Sequence, residues 1–196
     1  MIIQTVENSL QTILQPGNAE QTINKSRFIA VAEHADSEHA VLACLRRLAS
    51  QYRDAGHLAF AFRLKTPQGI IQRFNDAGEP SGTAGKPILQ YLEGRDLINI
   101  CVAVVRYYGG INLGTGGLAR AYGGTAKQAV ESARLGPFVE MTRLQLRLGY
   151  ADFDLFSREL VKINGQIIDK RFAEHVDVLV SIPAGQAEAL KQRFGN

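Results

Sequence analysis

Cysteine is scarce in this 196-residue sequence, which holds only Cys44 and Cys101, both set among apolar neighbours. That excludes a disulfide-stapled scaffold and reads as two reduced core thiols in a cytoplasmic protein. Long apolar runs are missing too. The longest nearly apolar stretch, residues 97–105, contains Asn99 and is far too short to cross a bilayer. No basic segment followed by an apolar one marks a leader, and no membrane contact is expected. The four histidines are scattered, no Cys/His spacing suits a metal, and no cofactor is implied. Charge of one sign is lacking as well. The net charge is +3, with 14 Lys/Arg against 11 Asp/Glu before Pro137 and 8 against 8 after it. The excess therefore lies in the first part. It leaves room for nucleic-acid contact without the clustered basic stripe of a dedicated binder.

What remains is the composition of an ordinary soluble globular protein, 45% hydrophobic and 21% charged, long enough for one large domain or two small ones. Glycine is unevenly spread: 11 of the 19 glycines fall between Gly78 and Gly124. All but Gly94 form two clusters, residues 78–85 and 109–124, on either side of the apolar run. Glycine is costly in backbone entropy and is concentrated where another backbone or a ligand comes close. Each cluster runs into a helix start, with Pro87 suited to the first turn of one and Gly116-Gly117 opening the other. Two such loops leave many N–H groups to be met by an anion or by the protein itself.

Periodicity predicts strands at residues 11–14 and 20–33, the second interrupted by the polar insert Lys25-Ser26-Arg27, which suggests a bulge or an edge position. A helix is expected at 36–52, capped by Asp36 or Ser37. A hairpin at 57–64 and 69–74 follows. After the first glycine loop come a short helix at about 86–93, the strand 97–107 and a helix at 118–135, stopped by Gly136-Pro137. Gly136-Pro137 is also the best boundary, giving domains 1–136 and 137–196. The second reads as βαββα: a strand over 141–150, a helix capped by Asp152 or Asp154, strands at 166–172 and 176–182, and a final helix at 183–194. A split β-α-β fold closes with one more strand, and its absence here is expected to leave an open edge or groove.

Several chemical readings fail on spacing. A P-loop through Gly85-Lys86 would need glycine at position 80 and Ser or Thr at 87, and both are proline. Gly114-Thr115-Gly116-Gly117-Leu118-Ala119 fits a dinucleotide fingerprint formally, but residues 109–113 separate it from the strand and no acidic strand end follows. Asp76 and Glu79, with His57, can be drawn as an acid–base set with Ser81 or Thr83 as nucleophile. The structural alternative is that Asp76 and Ser81 build turns while Thr83 caps the 86–93 helix. Arg106, Tyr107 and Tyr108 end the central strand, with Arg120 and Tyr122 on the next helix. They suit phosphate, carboxylate or a protein hot spot; alternatively, Arg106 pairs with Asp76 or Glu79.

The runs NDAGEPSGTAGKP (75–87), VVRYYGGINLGTGGLARAYG (104–123) and NKSRFIA (24–30) resemble the bacterial YigZ branch of the IMPACT family. The resemblance spans residues 11–136, and the charge-neutral tail resembles the small ferredoxin-like domain of bacterial members. It implies an α+β protein of two domains. The first has the α/β fold shared by a ribosomal small-subunit protein and elongation factor G, and the second is ferredoxin-like. It also implies a link to translation, since eukaryotic IMPACT restrains a stress kinase by competing for the kinase's activator, a partner pathway that bacteria lack. The expected function is a cytoplasmic binding protein that contacts RNA, the ribosome or a ribosome-associated protein through the glycine loops. Lys25, Arg27, Lys86, Arg106 and Arg120 would supply charge, and Tyr108 and Tyr122 stacking. Asp76, Glu79, Ser81, Thr83, Gly110, Gly114, Gly116 and Gly117 would complete the face. The alternative is an enzyme acting on a small anionic substrate at the same loops, with Asp76 and Glu79 as acid–base groups.

Overall fold

The computed structural model describes residues 10–195. The chain divides into two compact units, the first running to Phe138 and the second starting at Val139. The first contains β1 (Gln11–Gln15), β2 (Gly17–Ile23), β3 (Ser26–His34), α1 (Glu38–Gln51), β4 (His57–Thr66), β5 (Gly69–Asn75), α2 (Gly85–Gly94), β6 (Ile100–Tyr107), α3 (Gly114–Ser132) and β7 (Arg134–Pro137). Five strands form one antiparallel sheet in the order β2-β3-β6-β4-β5.

The central strand β6 is apolar almost throughout because both of its faces are covered. Ile100, Val102 and Val104 join the cluster under α2 and α3, with Ile88, Leu92, Leu118 and Tyr122. Cys101 and Ala103 join the opposite cluster under α1, with Val41, Cys44 and Leu48. Cys44 and Cys101 are buried free thiols, and contact with Cys44, then burial, pushes the Cys101 thiol well up. The two-residue alternation of a strand carries Arg106 to the α3 face and Tyr107 to the other. That parity decides what the end of β6 contributes to the site.

Three boundaries differ from the sequence reading. The stretch 20–33 is not one bulged strand but the hairpin β2–β3, turning at Asn24-Lys25 with φ of 44° and 63° and pairing Ile23 with Ser26. Two successive positive φ values make the turn whose twist suits a hairpin, and Asn takes the first position well; Lys in place of Gly hides the signal. Helix α3 starts at Gly114 rather than 118, so the glycines lie in its first turn, and it ends at Ser132. Residues 134–137 then pair with β1, so Gly136-Pro137 lies in a strand and does not stop the helix. The central strand begins at Ile100, after Asn99 turns the chain with φ 50° and accepts the Lys65 N–H on its side chain at 2.8 Å. Ser37 is the cap of α1, its hydroxyl accepting the Ala40 N–H at 3.3 Å.

The second unit contains β8 (Met141–Leu148), α4 (Tyr150–Lys162), β9 (Gln166–Phe172), β10 (Val176–Pro183), a 3-10 turn at Ala184–Gln186 and α5 (Ala187–Phe194). Its antiparallel sheet has the order β8-β10-β9. Alternation puts Leu144, Leu146, Leu148, Val176, Val178 and Val180 into a core with Phe156, Leu160 and Leu190. Gly149, not Asp152 or Asp154, is the N-cap of α4, and Asp152 sits in its first turn. In this strand order β8 and β9 each have one neighbour among the described residues, so both are edge strands.

Candidate functional site

The two glycine clusters are handled differently. In the first, the Asp76 carboxylate folds under the start of α2 and accepts from the N–H groups of Gly82 at 2.8 Å, Ala84 at 3.0 Å and Gly85 at 2.8 Å. Burial alone would raise its pKa, but these backbone donors together outweigh it and hold Asp76 below the usual carboxylate value. The anion invited by the first loop is therefore one of the protein's own residues. Thr83 does not cap the helix; it is buried, with its hydroxyl donating to the Pro80 carbonyl at 2.6 Å. Ser81 is exposed.

Glu79, three residues on from Asp76, reaches across to the second loop. Its side chain is 4% exposed, and Oε1 accepts from Arg106 Nη1 and from the Tyr122 hydroxyl, both at 2.7 Å. Burial and then this bond raise the Tyr122 phenol far above its ordinary pKa, so it remains a donor. Arg106 also donates to the Ser26 hydroxyl at 3.3 Å, and its guanidinium lies between the Phe28 ring at 5.5 Å and the Tyr108 ring at 5.3 Å. A charge tolerates burial at the end of β6 because a carboxylate, a hydroxyl and two ring faces meet it there. His57, the partner of Arg106 across the ladder, holds Ala77's carbonyl with Nδ1 at 2.9 Å and places Nε2 3.8 Å from Glu79 Oε1.

Above this cluster opens a cleft of about 520 Å³ lined by His57, Gly78, Glu79, Pro80, Arg106, Tyr108, Asn112, Leu113, Gly114, Thr115 and Leu118. One wall is the N-terminus of α3. No side chain caps it, its first turn holds no acidic residue, and no other backbone hydrogen bond of the described residues takes up its first N–H groups. The rim is tied to the β2–β3 turn at Gly109, where a Cβ would lie 2.0 Å from the Lys25 carbonyl carbon and where the N–H donates to Ser26 Oγ at 3.2 Å.

The expected site residues separate accordingly. Glu79, Arg106, Tyr108 and Gly114 line the cleft, and Gly116 and Gly117 lie in the α3 turn that walls it. Gly110 is exposed in the same loop with φ 82°. Tyr122 is fully buried, so it anchors Glu79 and presents no stacking surface. Arg106 is 4% exposed and spends its charge on Glu79 rather than on solvent. Arg27 projects to the opposite face of the sheet, paired to Glu20 at 2.7 Å and lying 5.8 Å from the Tyr107 ring centre. Lys25, Lys86 and Arg120 are exposed and make no ion pair among the described residues. Lys86 lies against Gly82, and Arg120 against Gly116. The cleft residues missed as binding candidates include Asn112 and Thr115, with His57 considered only as an acid–base partner, while Ser26 and Phe28 are buried and support Arg106. Among the described residues no cluster of His, Cys, Asp and Glu could hold a metal, and no helix is long and apolar enough to cross a membrane.

A five-stranded sheet covered on both faces, followed by a separate βαββα unit, defines a two-domain α+β protein whose cleft opens at paired glycine loops. Residues 24–130 match the Impact N-terminal domain, and residues 146–196 match a domain of unknown function, DUF1949. The chain belongs to the IMPACT family. It is 37% identical to the IMPACT family member YigZ of Escherichia coli, over 92% of this chain and 89% of that protein. It is 36% identical to an IMPACT family member of Haemophilus influenzae, over 89% of this chain and 85% of that one. Among solved structures, one described as a hypothetical protein superposes with a TM-score of 0.71 at 34% identity, covering 94% of this chain and 90% of that chain.

Proposed function

We propose that the protein is a cytoplasmic, translation-associated regulator that works by binding, and that it contacts RNA or the ribosome through the glycine-loop face of its first unit. Membership of the IMPACT family supports the link to translation. The observation that carries the contact surface is the set of three exposed cations without acidic partners, Lys25, Lys86 and Arg120, placed beside loops whose own ion pair is buried. Cations not engaged in folding are the ones available to phosphate. Binding also suits the acid–base groups better than turnover does: Asp76 is committed to capping α2, and Glu79 Oε1 to Arg106 and Tyr122.

The test is sedimentation of the purified chain with purified ribosomes, and with total RNA, across a salt series. The triple variant Lys25→Ala/Lys86→Ala/Arg120→Ala should keep its melting temperature and lose both affinity and salt dependence, each lost phosphate contact reducing the logarithmic slope by about 0.7–0.9. Co-sedimentation that is unchanged in the triple variant, or absent from the wild type at low salt, would exclude this face.

A further inference from the structure

We propose that the cleft at the start of α3 is a binding site for a single ribonucleotide unit, with the base on Tyr108, the phosphate on the first-turn N–H groups of α3, and the ribose hydroxyls on Glu79 and His57. The assignment rests on the RNA reading above and names the part of the ligand this cleft would take.

Each part of the ligand answers to a separate feature. Tyr108 is 54% exposed, and its ring is tethered at both ends of the loop. Its hydroxyl donates to Asn112 Oδ1 at 3.1 Å, and one ring face is covered by the Arg106 guanidinium, itself backed by Phe28. A fixed ring with one face covered by a cation and the rest open is a stacking platform for a base. The α3 terminus supplies uncapped N–H donors over a first turn without acidic residues, the arrangement that receives phosphate. Arg120, against Gly116, adds an unpaired cation beside that turn.

The cleft floor is what distinguishes a ribonucleotide from a bare anion. Arg106 and Tyr122 both donate to Glu79 Oε1, and Oε2 accepts no hydrogen bond from the described residues, although the side chain is only 4% exposed. The Ala77 carbonyl is met by His57 Nδ1–H, the tautomer in which Nε2 is an acceptor, and at 3.8 Å Nε2 is too far to hydrogen-bond Glu79 Oε1. Two neighbouring acceptors without donors fit a ligand carrying adjacent hydroxyls, and the cis-diol of ribose provides them. The 520 Å³ volume is in the range that small-molecule sites use.

The four ribonucleoside 5′-monophosphates, their 2′-deoxy counterparts, the free nucleosides and inorganic phosphate should be titrated calorimetrically into the full chain. At least one ribonucleotide should bind saturably, about tenfold or more tighter than its deoxy form, its nucleoside or phosphate. Tyr108→Ala should weaken that nucleotide at least tenfold and leave inorganic phosphate unchanged. Gly116→Asp places a carboxylate in the α3 first turn where an added Cβ meets only Arg120 Nη1, at 3.4 Å. It should abolish nucleotide binding without lowering the melting temperature. Absence of saturable binding by all four, equal binding of ribo and deoxy forms, or binding retained in both variants would overturn the assignment. If ribosome and RNA binding require Lys25, Lys86 and Arg120 but ignore Tyr108→Ala, the cleft assignment fails and the RNA reading stands. Tight mononucleotide binding without any RNA or ribosome binding would do the opposite, upholding the cleft and removing the RNA reading.

Discussion

Two glycine-rich loops lead into two helices of the first unit, and they differ in what meets the helix start. At α2, Asp76 delivers a carboxylate from six to nine residues upstream and takes three N–H groups. At α3 no side chain caps the turn, and the nearby carboxylate, Glu79, is turned away onto Arg106 and Tyr122. The first loop is closed by its own anion, while the second stays open beside a cleft. The same composition thus serves folding in one place and offers a surface in the other. What separates them is where one acidic side chain points, and glycine content alone does not reveal it.

The sharpest way to break this contrast is to remove the pair that joins the loops. Arg106→Ala leaves the Glu79 carboxylate buried without its cation and is expected to cost about 3–5 kcal/mol in denaturant unfolding. Arg120→Ala, at the open loop, is expected to stay within about 0.5 kcal/mol. Similar losses for the two would mean that the second loop is as internally committed as the first.

Asp76→Ala comes next, at about 2–3 kcal/mol, because three donors at the α2 start lose their acceptor. The sign with pH follows from its lowered pKa. A depressed carboxylate contributes fully above the ordinary aspartate value, near 4, and the contribution is lost as pH falls through the lower folded value. Stability curves of wild type and Asp76→Ala should therefore be well separated at neutral pH and converge in acid below about pH 4. Curves that stay parallel down to pH 2 would contradict the capping role.

A smaller effect separates the glycines themselves. An added Cβ at Gly85 would fall 2.6–2.8 Å from the Asn75 backbone, whereas at Gly116 it meets only the end of a flexible arginine. Gly85→Ala is expected to cost about 1–3 kcal/mol through backbone displacement. Gly116→Ala is expected to add roughly 0.5–1 kcal/mol through helix propensity. Thermal melts of the two variants should shift in opposite directions, and a shift in the same direction would show that the α3 turn is closely packed after all.

Much of this was legible in the sequence, and the misses have physical causes. The apolar run 97–105 announces the central strand, and Asp36-Ser37 announces the start of α1, where Ser37 is the residue that caps it. The β2–β3 turn was hidden because Asn24-Lys25 adopts two positive φ values without a glycine. The strand 134–137 was hidden because a Gly-Pro pair after a helical pattern reads as a stop. At the site, Glu79, Arg106 and Tyr108 stand out by residue type, and pairing of Arg106 with Glu79 was one of two open readings. His57 enters through the register that sets it opposite Arg106, which is a property of pairing rather than of local sequence. Arg27 and Tyr122 were placed on the binding face because charge and aromaticity mark what a residue can do. Which side it points to depends on strand parity and helix phase.

The contrast between a closed and an open helix start can be measured directly in one amide spectrum. With the full chain labelled at nitrogen, inorganic phosphate is titrated in and the backbone amides of Gly82, Ala84 and Gly85 are followed beside those of Thr115, Gly116 and Gly117. Saturable shifts at Thr115, Gly116 and Gly117, with Gly82, Ala84 and Gly85 unmoved, are the expected result. Shifts of equal size at both helix starts, or none at α3 up to tens of millimolar phosphate, would contradict it.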